Sequence, residues 1–227
     1  MNTFEETFTV PEGGLSAAGL FHFLQEASGH HSASLNQGQA ALVQKGLMWV
    51  VIRNIARMAR WPEPGEALQL LTWPAAVRHG MCPRYYHMTD AEGNTILDGS
   101  AIWAVVDRET RSMVNPDERG VFLEPAVTGL ETPLPMPIRR PATEHETLFT
   151  VPEAYLDENG HMNNTRYYDL AMQVTGLRPP FRELRTEYIN EALCGQELTV
   201  RWGTAGDTVT VVGERDGSHV FRMQLGR

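Results

Sequence analysis

The sequence predicts an α+β protein built from two tandem units of one design, each a long helix laid against a curved antiparallel sheet. Three observations predict it. The pentapeptide Phe8-Thr9-Val10-Pro11-Glu12 returns 141 residues later as Phe149-Thr150-Val151-Pro152-Glu153, and self-similarity of that kind marks an internal duplication. Each copy then reads as a short strand, a proline-containing loop, a helix and several alternating runs broken by turn residues. A sheet must bury one face, and a helix laid across it does so.

The elements follow in order. The first unit covers residues 1–123. Its helix is expected over residues 16–35, with Leu20, Phe23, Leu24, Ala27 and His31 at helical spacing on one face. Strands are expected over 47–61, 67–73, 84–89 and 95–106, with turns at Pro64-Gly65 and Glu92-Gly93-Asn94. Residues 124–144 hold Pro125, Pro133, Pro135, Pro137 and Pro141, five of the 14 prolines, and read as an extended linker. The second unit, 145–227, starts its helix after an N-cap at Asn163 or Asn164. The apolar stripe is Tyr167, Leu170, Ala171 and Val174, and Gly176 is the stop. Strands are expected over 184–191, 198–203, 208–214 and 218–225, the last two joined by Asp216-Gly217, a strong hairpin signal. Gly65-Glu66-Ala67-Leu68 echoes Gly195-Gln196-Glu197-Leu198 at an offset of 130. The first copy therefore holds extra residues between its helix and that strand, around 37–46.

Composition narrows the function. The 227 residues are 42% hydrophobic and 21% charged, enough apolar content for a buried core and against disorder. With 19 Lys+Arg against 28 Asp+Glu the net charge is −9, which argues against nucleic acid as the main partner. Lys45 is the single lysine, so any basic patch must be arginine. No apolar run approaches the length of a membrane span, and the N-terminus shows no signal peptide. Cys82 and Cys194 form neither a CxxC nor a zinc ligand set and read as reduced thiols. His30 and His31 are adjacent, hence divergent on a helix, and make a poor metal pair. No metal or cofactor is expected.

The densest chemistry is Asp157-Glu158-Asn159-Gly160-His161-Met162-Asn163-Asn164, a carboxylate, an amide and an imidazole at alternate positions ahead of a helix N-terminus. Such a set can do acid–base work, and free N–H groups of a first helical turn can hold an oxyanion. The same residues also make an ordinary Asx-rich turn. A constant offset of 141 places Asp157 on Ser16, Asn159 on Ala18 and His161 on Leu20, so the polar set exists in one copy only. That restriction favours a single active site in the second unit. Elsewhere, strand alternation would put Glu187, Ile189 and Glu191 on one face, the charges reading as solvated, and Arg53 and Arg57 together opposite Arg60.

The segment Asp157 to Tyr167 resembles the D-x-N-x-H-x-N-N-x-x-Y signature of acyl-acyl carrier protein thioesterases, the plant-type family with bacterial members. Leu24-Gln25-Glu26, Trp49-Val50-Val51-Ile52-Arg53, Arg60-Trp61-Pro62 and the segment from Ser100-Ala101-Ile102-Trp103 to Thr110-Arg111 extend the likeness along most of the chain. The resemblance implies a double hotdog and hydrolysis of fatty acyl thioesters of acyl carrier protein. It carries the catalytic roles to Asp157, Asn159, His161 and Glu191. The plant members' cysteine after that Glu is Ala192 here, which disfavours a cysteine nucleophile. Their transit peptide has no counterpart, which suggests a bacterial cytoplasmic enzyme.

On this reading the thioester carbonyl sits at the second helix's N-terminus, at Asn163, Asn164 and Thr165. Candidates for the acyl tunnel are Leu20, Phe23, Leu24, Ala27, Met48 and Trp49, each of which could equally be core. An acidic carrier would dock on arginines such as Arg78, Arg84, Arg108 or Arg111. Competing readings are an acyl-CoA thioesterase with the same site, a non-catalytic acyl-binding module and a hotdog dehydratase. Since the two units satisfy each other's pairing, oligomeric state is open and a further homodimer is compatible.

Overall fold

A computed structural model describes residues 2–130, 132–139 and 143–227. Among the described residues, eleven strands form one antiparallel sheet. The first unit supplies β1 (Phe4–Thr9), α1 (Ala17–Ser34), α2 (Gln39–Gln44), β2 (Leu47–Met58), β3 (Ala67–Pro74), β4 (Met81–Thr89), β5 (Thr95–Asp107) and the two-residue β6 (Met113–Val114). The second supplies β7 (His145–Thr150), α3 (Arg166–Thr175), β8 (Glu183–Tyr188), β9 (Glu197–Ala205), β10 (Thr208–Arg215) and β11 (Ser218–Gly226). The spatial order is β1-β3-β4-β5-β2-β8-β11-β10-β9-β7, with β6 on β5. The second half repeats the first half's order in reverse, and the two meet at β2 and β8. This is the double hotdog.

The duplication is visible in individual hydrogen bonds. Val10 donates to the Glu66 carbonyl at 2.9 Å and accepts from the Gly65 N–H at 3.0 Å. Val151 does the same with Gln196 and Gly195, both at 2.9 Å. Both sequence offsets are thus correct, and α2 occupies the extra residues between them.

Helix α1 starts where its cap dictates: the Ser16 hydroxyl accepts from the Gly19 N–H at 2.9 Å. Its stripe is buried, with Leu20 and Ala27 at 0% exposure. In α3, Tyr167, Tyr168, Leu170 and Ala171 are buried, and Gly176 ends the helix at φ 71°, a conformation that suits glycine. The helices meet where Phe21 stacks on Tyr168, ring centroids 4.4 Å apart, so the two units share one core. The β10–β11 hairpin turns through Asp216 (φ 51°) and Gly217 (φ 77°), both positive as a two-residue type I′ turn requires.

At the seam, Arg53 registers with Glu187, Ile55 with Arg185 and Arg57 with Glu183. Arg53 Nε lies 3.0 Å from Glu187 and Arg57 Nε 2.8 Å from Glu183. These arginines are therefore spent on cross-strand ion pairs rather than forming a basic patch. Arg60 pairs with Glu66 and Asp90. Glu187 departs from the solvated expectation. It is buried, with Arg222 3.5 Å away on its second oxygen and the Ile138 N–H donating to it. The linker accounts for this, because it crosses the sheet there. Arg185 donates to the Met136 carbonyl and Arg222 to the Ile138 carbonyl, and Ile138 itself is buried. Arg140 and Pro141 of the linker lie outside the described residues.

Candidate active site

The polar loop is an insertion, which corrects the position-by-position mapping onto the first copy. Between Pro11 and Ser16 the first unit has four residues, 12–15. Between Pro152 and Thr165, the corresponding N-cap position, the second has twelve, 153–164. Asp157, Asn159 and His161 thus have no partners at Ser16, Ala18 and Leu20. The scaffold is shared and the loop is added.

Asp157 shapes this loop. Its Oδ1 accepts from the backbone N–H of Asn159 at 2.8 Å and of His161 at 3.1 Å, while its own N–H donates to the His161 carbonyl at 2.7 Å. The Asx-turn reading is thereby realised. The Asn159 side chain is exposed and bonds to no described residue, so its amide is free to meet a ligand. Beyond Gly160 the loop is tied to the segment after β8: Met162 donates to the Ala192 carbonyl at 2.8 Å and His161 bridges to Leu193.

Glu191 reaches the loop because β8 ends early. The N–H groups of Ile189 and Asn190 both donate to the Val220 carbonyl, at 2.8 and 3.0 Å. The ladder therefore breaks after Tyr188, and Glu191 leaves the face that Glu187 occupies. Its carboxylate lies 3.4 Å from His161 Nε2 and is ion-paired with Arg111, whose guanidinium also stands 3.1 Å from His161 Nε2. His161 Nε2 thus lies between a carboxylate, which only accepts, and a guanidinium, which only donates. Arg215 holds the Glu191 carbonyl at 3.0 Å. Arg111 is central to this group, although the sequence suggested it only for docking. Its position follows from the turn after β5, where it adopts φ 56°.

The helix terminus is more selective than the sequence implied. Asn163 donates its N–H to the Tyr155 carbonyl, and its side chain accepts from both the N–H and the hydroxyl of Thr165. Arg166 and Tyr168 donate to the Asn163 and Thr165 carbonyls. Asn163 and Thr165 are thus structural, and Thr165, not an asparagine, takes the N-cap position. The backbone N–H groups of Asn164 and Tyr167 have no partner among the described residues, and both residues line the cleft.

That cleft measures about 570 Å³ and is walled by Met48, Trp49, Val51, Tyr167 and Tyr188, with Asp157, Asn159, His161, Glu191 and Arg111 at its polar side. Tyr188 donates to the Asn164 carbonyl at 2.9 Å, and burial pushes its phenol well above the ordinary range. Met48 and Trp49 line this cleft. Leu20, Phe23, Leu24 and Ala27 lie in the core and line neither this cleft nor a second cavity of about 380 Å³ in the first unit. Trp49 borders both spaces, and Glu158 of the loop borders the second. The Trp49 indole donates to the Gln37 carbonyl at 2.8 Å, so the insertion that holds α2 positions this wall. Of the suggested docking arginines, Arg78 and Arg108 are exposed, whereas Arg84 is buried. Cys194 is exposed in the turn after Glu191, and Cys82 is buried in β4.

Residues 11–118 match the family model described as the acyl-ACP thioesterase N-terminal domain. A curated relative is the chloroplastic palmitoyl-acyl carrier protein thioesterase of Gossypium hirsutum, 26% identical over 91% of this chain and 55% of its own length. Another is the chloroplastic acyl-[acyl-carrier-protein] hydrolase FATB2 of Cuphea viscosissima, 26% identical over 82% of this chain and 48% of its own. The chain spans about half the length of these relatives. Among solved structures, a 12:0-ACP thioesterase from Umbellularia californica aligns with TM-score 0.81 and 21% identity over 100% of this chain and 97% of that one. An acyl-ACP thioesterase from Bacteroides thetaiotaomicron aligns with TM-score 0.78 and 20% identity, over 99% and 97%. No helix among the described residues is long and apolar enough to cross a membrane.

Proposed function

We propose that this chain, which resembles the acyl-acyl carrier protein thioesterases in family model, curated relatives and fold, hydrolyses the thioester between a fatty acyl chain and the phosphopantetheine of acyl carrier protein. The observation that carries the reading is one cleft lined by Glu191, His161 and two residues, Asn164 and Tyr167, whose backbone N–H groups have no partner among the described residues, beside a second cavity in the first unit.

The thioester oxygen is placed at the Asn164 and Tyr167 N–H groups, where helix-terminal donors stabilise developing negative charge. Asn159 orients the carbonyl or the water. Glu191 takes a proton as water attacks the carbonyl carbon. Collapse of the tetrahedral intermediate breaks the C–S bond, and the proton taken by Glu191 passes through His161, 3.4 Å away, to the leaving thiolate. Asp157 is assigned to the loop rather than to the chemistry, because its Oδ1 is engaged by two backbone donors. The acyl chain is assigned to the apolar wall at Met48 and Trp49 and to the cavity beyond it. The acidic carrier is assigned to the face bearing Arg78 and Arg108, with the bacterial cytoplasm as the compartment. No cofactor enters.

Free-thiol release from a panel of acyl carrier protein and CoA thioesters tests this. Carrier thioesters are expected to turn over, with collapse in Glu191→Gln and His161→Ala whose folding is intact. No release from any thioester would sink the reading, and preference for the CoA handle would move it to an acyl-CoA thioesterase.

A further inference from the structure

The cavity in the first unit does not look like the end of a slot for a plain hydrocarbon. Its walls include Trp49, Trp103, Val77 and Leu123, yet Arg84 of β4 faces into it while only 3% exposed. The guanidinium meets His31 Nδ1 at 3.0 Å, the Thr72 hydroxyl at 3.3 Å and the Ser32 hydroxyl at 3.3 Å. All three partners are neutral acceptors, His31 being held uncharged by its burial and by Arg84 itself. No carboxylate pairs with Arg84 among the described residues. A buried charge is costly unless an opposite charge meets it. A second donor accompanies it: Gln25 Nε2, on α1, is buried without a hydrogen-bond partner and lines the same cavity. The two carboxylates that border the space, Glu26 and Glu158, are exposed, and Glu26 is 3.4 Å from His22. The cavity therefore offers hydrogen-bond donors at Arg84 and Gln25 and the positive charge of Arg84, and its bordering carboxylates are exposed and are not paired with Arg84.

Its place relative to the cleft says what would supply an anion. Trp49 lines both spaces, and the loop that carries Asp157 and His161 abuts the cavity through Glu158. A chain with its thioester at His161 would reach Arg84 by passing the Trp49 wall that borders both spaces. Resting on the thioesterase reading, we propose that the substrates are acyl thioesters whose far end carries a carboxylate, half-thioesters of dicarboxylic acids, received by Arg84 and Gln25. A guanidinium matches a carboxylate with two parallel hydrogen bonds. A methyl end would leave the charge uncompensated.

The test uses pantetheine thioesters in pairs of equal length, one methyl-terminated and one carboxylate-terminated. The intact wild-type chain is expected to favour the carboxylate by roughly tenfold or more in kcat/KM, since a site built for a polar group penalises the analogue lacking it. Arg84→Gln is expected to reduce that ratio to near unity, and Arg84→Lys to retain part of it. If buried-arginine variants do not fold, Gln25→Leu is expected to lower the ratio severalfold. A wild-type preference for the methyl end overturns the proposal, as does a carboxylate preference that survives Arg84→Gln, and either result leaves the thioesterase reading standing. Failure to cleave any member is failure of that reading. Binding of the matching pantetheine amides, with nitrogen replacing the thioester sulfur, then decides the cavity's chemistry. Tighter binding of the carboxylate-ended amide, lost in Arg84→Gln, supports it, and equal binding overturns it.

Discussion

Replacing Asp157 by asparagine separates a group that shapes the loop from one that performs the chemistry. Oδ1 accepts from the Asn159 and His161 N–H groups at 2.8 and 3.1 Å. Asparagine keeps an acceptor oxygen in that place and loses the charge. A hydrogen bond to a charged group contributes about 1.5–3 kcal/mol and a neutral one about 0.5–1.5, so each of the two bonds weakens by about 1 kcal/mol. The loop then loses about 2 kcal/mol of local order, which caps the fall in kcat/KM at roughly 30-fold. Removing a general base costs about 10²–10⁴, and that larger loss is expected of Glu191→Gln. The assay is free-thiol release under single-substrate conditions, with thermal unfolding of each variant measured alongside. If Asp157→Asn falls as far as Glu191→Gln while melting like wild type, Asp157 takes part in the reaction and its assignment to the loop is refuted.

Three further outcomes are expected. Glu187→Ala leaves the half-buried Arg53 and Arg222 without their carboxylate and strips the linker of an anchor. Urea unfolding should show a loss of about 3–5 kcal/mol, and a change under about 1 kcal/mol would mean the pair contributes little. His31 is lowered from 6.5 to about 4, first by burial and then by Arg84. Between those values the unfolded chain binds the extra proton, so His31's contribution is complete above pH 6.5 and fades as the pH falls toward 4. The loss is on the order of 3 kcal/mol. Comparing wild type with His31→Gln at pH 7.5 and 4.5 isolates it, and equal slopes in the two would refute it. Burial pushes the Cys82 thiol up to about 12, whereas Cys194 is exposed. Alkylation of the native protein should label Cys194 alone, and Cys194→Ser should retain turnover within about twofold; a dead Cys194→Ser would revive a thiol mechanism.

What could be read from the sequence is what local chemistry determines. Gly176 as a stop, Asp216-Gly217 as a turn and the two pentapeptides each act within a few residues, and the structure has them in place. The polar loop was legible as chemistry, but its alignment with the first copy failed because a constant offset cannot register an insertion. Glu187 reads as solvated in the sequence, since alternation says which face a residue takes and not what covers that face. Here the linker covers it, far away in the chain. Alternation groups Glu191 with Glu187, because nothing local announces that two successive N–H groups share the Val220 carbonyl. Arg111 and Arg84 differ in the same way. One closes on Glu191 and the other is enclosed beneath α1, and both outcomes depend on partners distant in sequence. The α1 stripe was correctly apolar, but period alone cannot separate core from cavity lining.

The charges at the β2–β8 seam bear on how the molecule avoids pairing with the wrong half of another copy. Ile55 and Arg185 sit opposite each other at the centre, so by the pseudo-twofold Arg53 corresponds to Glu183 and Arg57 to Glu187. Two first units joined through their own β2 strands would set Arg53 against Arg57 twice. Two second units joined through β8 would set Glu183 against Glu187 twice. Like charges directly opposite destabilise a strand pair, and opposite charges favour it. The duplicated halves have therefore become complementary. Each edge accepts the other kind and repels its own, which directs a newly made second half to the first half already tethered beside it.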